Sequence, residues 1–338
     1  MSVSSVIYTI IILCVLIVTH ELGHFAVAKL NGIYVKEFSL GMGPKLLQWG
    51  KKETKYSLRL FPIGGYVAME GEDEESDNPN AFCNKGVLAR MSVVFAGPLM
   101  NFIFAILFFM VAFMYFGTPS ADAVIGEVSE GSPAAAAGLA DGDVVKSIDG
   151  HPVTTWEEMT SYIQPAAGKT LTLQVERGED VIMTEVVPEY SEEGQRALIG
   201  VSQHIEKANL WQSIKLGCKQ TYEFTVLLIT SLYKMLTGQM AVDVAGPVGM
   251  VSIVGTYAQS ALMYLFMLAG ILSVNLGIIN LIPFPGLDGS RLVFLAIEGV
   301  RGRPVPSEKE AMVHFVGLVL LLGLMVVITV NDIGRLMG

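Results

Sequence analysis

Two histidines four residues apart, with a glutamate beside the first, occur as His20-Glu21-Leu22-Gly23-His24. On a helix, positions four apart share a face, so both imidazoles can converge on one metal while Glu21 projects beside it as a general base. The chemistry this permits is metal-assisted hydrolysis: such a set needs a third protein ligand and leaves a fourth position for water, whose pKa the metal lowers to about 7. The pentapeptide closes an almost uncharged apolar run that begins near Val6. Three ionisable groups within hydrocarbon are costly and mark a site that faces protein or water. Chance alone would produce this spacing about 0.005 times in such a chain, which weighs against the other use of a helix-end histidine pair, packing or capping.

A third ligand must be His, Asp, Glu or Cys on a segment that reaches membrane depth, and Asp288 in Asn280-Leu-Ile-Pro-Phe-Pro-Gly-Leu-Asp-Gly289 is the best placed. Pro283, Pro285 and Gly286 stop a helix and hold an extended turn, and Gly289 lets the backbone fold closely past a metal. Broken backbone at that depth is tolerable only where protein or a wet cavity satisfies it. The competing reading makes Asp288 the N-cap of a helix over 289–299, with the prolines merely ending a span. His204, on a linker on the opposite side, and His314, at the start of a span without a partner at ligand spacing, are read as structural, and His151 as a solvated loop residue.

The elements that must position these groups follow from composition. The 338 residues are 52% hydrophobic, with mean hydropathy +0.52, yet the middle third is ordinary globular sequence. This describes a membrane protein carrying one soluble insert. Four apolar segments, roughly 6–28, 92–116, 261–282 and 312–330, approach the ~20 residues of a spanning helix. The first, without a basic leader or small-residue cleavage site, is expected to be a retained span rather than a signal peptide. Residues 210–236, interrupted by Lys215, Lys219, Glu223 and Lys234, read instead as an interfacial amphipathic helix.

Lys29, Lys36, Lys45, Lys51, Lys52, Lys55, Arg59, Lys85 and Arg90 lie between the first two spans, and Arg291, Arg301, Arg303 and Lys309 after the third. By the positive-inside rule both connections are cytoplasmic and the insert lies outside. The net charge of −10 collects in the insert and in the acidic stretch 70–77, with no basic patch, so nucleic acid is not an expected partner. Cys14, Cys83 and Cys218 show no ligand spacing and are read as packing residues. Residues 56–69 are strand-like, with Pro62 and Gly64-Gly65 as breakers. Such a hairpin beside the site could offer an unpaired edge, an ordinary surface hairpin being the alternative.

Within the insert, the run Gly131-Ser-Pro-Ala-Ala-Ala-Ala-Gly-Leu-Ala-Asp-Gly-Asp-Val-Val-Lys-Ser-Ile-Asp-Gly150 resembles the bacterial PDZ domain. The resemblance implies a mixed α/β module that captures an extended peptide or chain end by strand addition, with 125–128, including Gly126, as the expected edge. Residues 190–209 read as the linker leaving it.

Taken together, the His20–His24 motif in the first span, Asn280 through Gly289 after the third, and a PDZ insert between the second and third resemble the site-2 protease family of intramembrane zinc metalloproteases. The single PDZ module is similar to the bacterial sigma-factor-regulating branch. Further matching stretches are Ala96-Gly-Pro-Leu-Met-Asn101, Ala245-Gly-Pro-Val-Gly249 and Ser273-Val-Asn-Leu-Gly277. Ser290-Arg291 departs from the Gly-His common after the aspartate in relatives, and some relatives carry two PDZ modules.

The resemblance implies His20, His24 and Asp288 as Zn2+ ligands and Glu21 as the catalytic carboxylate. It implies a polytopic α-helical membrane protein with about four transmembrane helices, a membrane-associated β-hairpin and an inserted PDZ domain. The expected divisions are a first membrane domain at 1–117, the extracytoplasmic PDZ domain at 118–190, a linker and membrane-associated amphipathic helix at 191–260, and a second membrane domain at 261–338.

The reaction expected is hydrolysis inside single-span membrane proteins of the bacterial cell membrane, with anti-sigma factors and signal-peptide remnants as the substrate classes. The active site would face the cytoplasmic side. A target helix must unwind before attack, and the edge around Gly64 and Gly65 could hold the extended segment. Asn275 and Asn280 are candidates to hydrogen-bond its backbone, with hydrogen bonding between helices as the equal alternative. From another class, a PDZ-bearing membrane scaffold with structural zinc would explain the insert but leave Glu21 without a purpose. A transporter is disfavoured by the small number of spans and the lack of an inverted repeat.

Overall fold

The computed structural model describes every residue except 1–2, 51–52, 73, 193–194, 241–245, 261 and 338. Of the matching stretches above, Ala245 therefore lies outside the described residues. The chain divides into two compact units, one formed by Met1–Ala112 with Leu210–Gly338 and the other by Phe113–Asn209.

The first unit begins with α1 (Val3–Leu30), followed by a ribbon of β1 (Val35–Trp49) and β2 (Lys55–Met69), and then α2 (Val87–Phe116). Four helices among the described residues are long and apolar enough to cross a membrane: Val3–Leu30, Val87–Phe116, Leu262–Leu281 and Glu308–Gly334. These are the four segments expected from hydropathy.

The strand expected at 56–69 is β2, and its partner is the whole of β1. Leu40 pairs with both Gly65 and Leu58, and Phe38 with both Val67 and Tyr56, so each bent strand meets its partner twice. Gly41, Gly43 and Gly64, with φ of 80°, 87° and 90°, supply the left-handed backbone at the bends. Glu37 anchors the ribbon. Burial would raise its pKa, but hydrogen bonds from Ser57, Arg59, Tyr66 and Lys45 outweigh it and lower the carboxyl to about 2. Beneath the ribbon, Val35, Val67 and Met69 pack on Ala28, Phe82, Val93 and Leu295.

The second unit runs β3 (Thr118–Pro119), β4 (Ile125–Val128), α3 (Pro133–Ala136), β5 (Val144–Ile148), β6 (His151–Pro152), α4 (Trp156–Ile163), β7 (Leu171–Arg177), β8 (Asp180–Val186), β9 (Glu189–Ser191), β10 (Arg196–Leu198), β11 (Val201–Gln203) and β12 (Ile205–Glu206). A sheet of order β6-β5-β7-β8 carries alternating inward residues, Val145 and Ile148 facing Leu173 and Val175. Helix α4 closes this core with Met159 and Ile163. Its N-terminus is held by a capping box in which Thr155 accepts from the Glu158 amide while Glu158 accepts from that of Thr155.

Two expectations for the insert are overturned. Residues 191–209 are not a linker, because β11 pairs with β4 and β12 with β3, stitching this stretch into the unit. Nor is the edge at Gly126 open. A Cβ there would stand 2.8 Å from the Gln203 carbonyl oxygen, so the glycine lets β11 cover the strand, while Ile125 bonds on its other side to Gly142 and Asp143.

The chain returns to the first unit with α5 (Leu210–Leu236), α6 (Pro247–Ser260), α7 (Leu262–Leu281), α8 (Asp288–Arg301) and α9 (Ser307–Met337). Helix α5 lies along α2, with Phe224 stacked on Phe109 at 5.7 Å. Hydropathy did not single out α6, whose 14 residues are too few to span. It packs on α1, α7 and α9. Its first turn is held by buried Asp332 of α9, which accepts from the Gly246 and Gly249 amides at 3.3 and 2.8 Å.

In the insert, buried Asp143 accepts from Arg177 at 2.7 and 2.8 Å and from the Ala140 amide at 2.9 Å. Burial opposes its charge, but these donors hold the carboxyl below its ordinary value. A carboxylate whose folded pKa lies below the unfolded value of about 3.9 stabilises fully above that value and loses its contribution as pH falls toward the folded one. Hydrogen-exchange protection of β5 and β7 in the full chain should thus be level from about pH 8 to about pH 5 and fall below about pH 4. In Asp143→Asn that acid step should be smaller, Glu158 of the same unit keeping its own lowered carboxyl.

Candidate metal centre and active site

Helix α1 crosses α2 where Gly23 faces the Ala96 carbonyl; a Cβ on Gly23 would collide with that oxygen. Gly97 clears the complementary space, since a Cβ there would overlap the Nε2 atoms of both His24 and His20. The imidazoles rest on that bare stretch of α2. Pro98, inside the helix, removes the amide that would bond to the Val94 carbonyl. One residue earlier, the Val93 carbonyl accepts from His24 Nδ1 at 2.8 Å. This bond puts the His24 proton on Nδ1 and leaves Nε2 with its lone pair.

His20 is anchored from the same helix. Its Nδ1 lies 3.0 Å from the Asn101 side-chain nitrogen, while Asn101 Oδ1 is buried without a hydrogen-bond partner among the described residues. Turned through 180°, this carboxamide accepts from a protonated Nδ1, and His20 Nε2 then carries the lone pair that a metal ligand requires. Helix α7 holds the position of Asn101, because Ser273 Oγ donates to its backbone carbonyl at 2.7 Å.

Asp288 arrives on the turn after α7. Gly286 has φ 97°, and a Cβ on Gly289 would strike the carbonyls of Leu281 and Ile282, so the turn doubles back against the end of α7. Leu287 occupies the N-cap position of α8 and makes no side-chain capping bond, while Asp288 is the first helical residue. The N-cap reading of Asp288 is therefore set aside. Its carboxylate turns toward the imidazoles instead, with Oδ2 at 3.1 Å from His20 Nε2 and 3.4 Å from His24 Nε2. The two Nε2 atoms are 3.1 Å apart.

This triangle tests whether the residues fit a metal. Ligand atoms bound tetrahedrally at about 2.0–2.1 Å stand about 3.3–3.4 Å from one another; one separation, 3.4 Å, matches and the other two, at 3.1 Å, fall slightly short. Asp288 Oδ2 is buried and meets neither ring in hydrogen-bond geometry, so the contact is not an ordinary imidazole–carboxylate bond. Among the described residues these three form the one cluster able to hold a metal ion. Zinc, which takes nitrogen and carboxylate donors in this geometry, suits the set.

Glu21 lies beside the cluster, flanked by the ribbon: a Cβ on Gly65 would sit 3.2 Å from Glu21 Cγ. A cavity of about 480 Å3 opens here, lined by His20, Glu21, His24, Tyr66, Asp288 and His314 among others. Arg291 and Glu72, paired with each other, also line it. Arg291, noted as a departure from relatives, thus ties α8 to the end of the ribbon.

Residues 8–324 match peptidase family M50. The chain belongs to this family. It is an intramembrane zinc metalloprotease. The zinc metalloprotease RasP of Geobacillus kaustophilus is 36% identical, with 99% of each chain covered. The regulator of sigma-W protease RasP of Bacillus subtilis is 32% identical over 99% of this chain and 100% of its own. Among solved structures, the PDZ domain of an SdrC-like protein of Listeria monocytogenes is similar at 22% identity and TM-score 0.23, covering 25% of this chain and 90% of that one.

The other expected site residues are dispersed. Gly64 lies at the bend of β2, and its neighbour Gly65 reaches Glu21. Asn275 and Asn280 are half-buried on α7 and do not line the cavity. Gly126 belongs to the other unit. His204 there lies 3.7 Å from Asp141, and His151 stacks on Tyr162. Sequence reasoning passed over the roles of Gly97 and Asn101. The signal for Asn101 was a polar side chain inside an apolar span; Gly97 had none beyond the matching stretch.

Asn101→Leu should weaken zinc binding by about 10–100-fold, as loss of an orienting outer partner does, in competition against a fluorescent chelator. Unchanged affinity would remove Asn101 from that role. Gly97→Val should yield folded protein with zinc far below one ion per chain by elemental analysis.

Proposed function

We propose that His20, His24 and Asp288 hold the zinc and that Glu21 moves the proton during hydrolysis of peptide bonds within membrane-embedded segments. The supporting observation is the triangle of donor atoms at 3.1, 3.1 and 3.4 Å with Glu21 adjacent to it. Zinc bound there supplies a Lewis acid and a water that ionises near neutral pH. Glu21 accepts the proton of the attacking water and delivers it to the departing amine. Among the described residues that line the cavity none is Ser, Thr or Cys, which favours direct hydrolysis over an acyl-enzyme.

The substrate is a single-span membrane protein whose helix unwinds at the cavity. Gly65 lets the ribbon approach Glu21, and the strand bent at Gly64 presents backbone to the extended segment. For the multi-pass chain in the lipid bilayer, the Lys and Arg distribution favours a cytoplasmic-facing site and an insert outside the cell membrane. The Bacillus subtilis relative regulates sigma-W by its printed name, which favours an anti-sigma factor over a signal-peptide remnant as substrate. The insert then reads a peptide or chain end by strand addition. With β4 covered, the side of β11 that faces away from it, at Val201–Gln203, is the proposed edge.

Glu21→Gln should abolish cleavage of a reporter transmembrane peptide in detergent while zinc stays near one ion per chain. Retained turnover would remove Glu21 from its role. Asp288→Ala should lower zinc occupancy together with activity, and full occupancy would require another third ligand.

A further inference from the structure

The sequence assigned His314 a structural role, and half of its ring has one. Its Nδ1 accepts from the Gly286 amide at 3.1 Å, in the turn that leads to Asp288. That bond decides the tautomer, because a nitrogen that accepts carries no proton, so the neutral ring bears its hydrogen on Nε2. Nε2 is buried and has no hydrogen-bond partner among the described residues. Glu310 Oε1, one turn earlier on α9, stands 3.7 Å away, beyond hydrogen-bonding distance.

The ring lines the same cavity as His20, Glu21, His24 and Asp288 but does not join their donor cluster. Three features hold it there. Gly317, one turn further along α9, lacks the Cβ that would collide with Pro285, so helix and turn interlock. The Gly286 amide fixes one edge of the ring, and Phe294 packs on it with centroids 5.8 Å apart. A buried donor left unpaired is costly in a resting protein. Among the cavity's polar groups, the three donor atoms and the Glu21 carboxylate are all lone-pair bearers suited to a cation or a proton.

We propose that His314 is a further catalytic residue of the protease: its Nε2–H, enclosed in the free chain, is uncovered as the extended substrate segment enters the cavity and donates to a backbone carbonyl oxygen of that segment. An extended peptide brings carbonyls that have lost their helical partners, and this donor replaces one of them. The proposal rests on the reading of this cavity as the peptidase site, which zinc content and the Glu21→Gln control test separately.

Two amide substitutions separate the halves of the ring. Asn places a carbonyl oxygen near the position of Nδ1 and has no group that reaches Nε2, whereas Gln extends an N–H to about the Nε2 position. With the full chain in detergent, His314→Asn should lower kcat/KM for the reporter peptide by about tenfold, the worth of one hydrogen bond. His314→Gln should stay within about threefold of the native value on the same scale. Both variants should keep one zinc per chain and native affinity for it. The proposal fails if Asn is as active as the native chain, if Gln is no better than Asn, or if either loses zinc. Zinc loss would make His314 only a support for the Asp288 turn.

Discussion

A carboxylate oxygen and the lone pairs of two imidazoles converge, 3.1 to 3.4 Å from one another, with no hydrogen bond satisfying the carboxylate oxygen. Without a cation between them such groups repel, and each would relax by swinging toward a donor. The first unit is built to deny that motion. Val93 and Asn101 take the outer nitrogens of the two rings, Gly97 gives the rings a floor, and the turn around Gly286 carries Asp288 in from a separate helix. Holding the arrangement takes contributions from α1, α2, α7, α8 and α9, so the site and the packing of the membrane helices are one structure.

The same requirement explains where small residues fall. Gly23 brings α1 onto α2, and Gly277 sets α7 against the Pro98 carbonyl and Phe102. In lipid, where apolar surface alone does not drive helices together, such close backbone approach supplies the packing that association needs. Gly23 adjoins His24, and Gly277 lies one turn from Ser273, which holds Asn101, so tight packing is concentrated around the polar groups. Helix α9 shows the contrast, with most of its length exposed and its contacts gathered near Gly317 and Asp332.

The membrane spans, the enzyme class, the zinc requirement and the family were legible because each has a local signature: apolar runs near twenty residues, and a histidine pair four apart. The turn at Asp288 was legible through Pro283, Pro285 and Gly286, which act on the backbone wherever they stand. What escaped were features whose meaning is tertiary. Strands β9 to β12 are two or three residues long, too short for alternation to register, and the pairing of β11 with β4 and of β12 with β3 spans more than seventy residues. β1 is punctuated by Gly41, Gly43 and Pro44, which read locally as breaks, although pairing with β2 carries the strand through them. Asn101 and Gly97 matter through what lies across the helix interface, which no spacing within α2 encodes.

Asp332 binds α6 in a way that differs in kind from the links among α2, α8 and the ribbon. Its partners are two backbone amides, whereas Arg90 with Glu298 joins α2 to α8 through opposite formal charges, as Arg291 with Glu72 joins α8 to the ribbon. Dissolved electrolyte weakens attraction between partly exposed charges over a Debye length, about 8 Å at physiological ionic strength, and leaves a buried amide–carboxylate contact nearly untouched. Salt therefore weakens the Arg291–Glu72 link beside the cavity, where Arg291 is partly exposed, more than it weakens the grip of the last helix on α6.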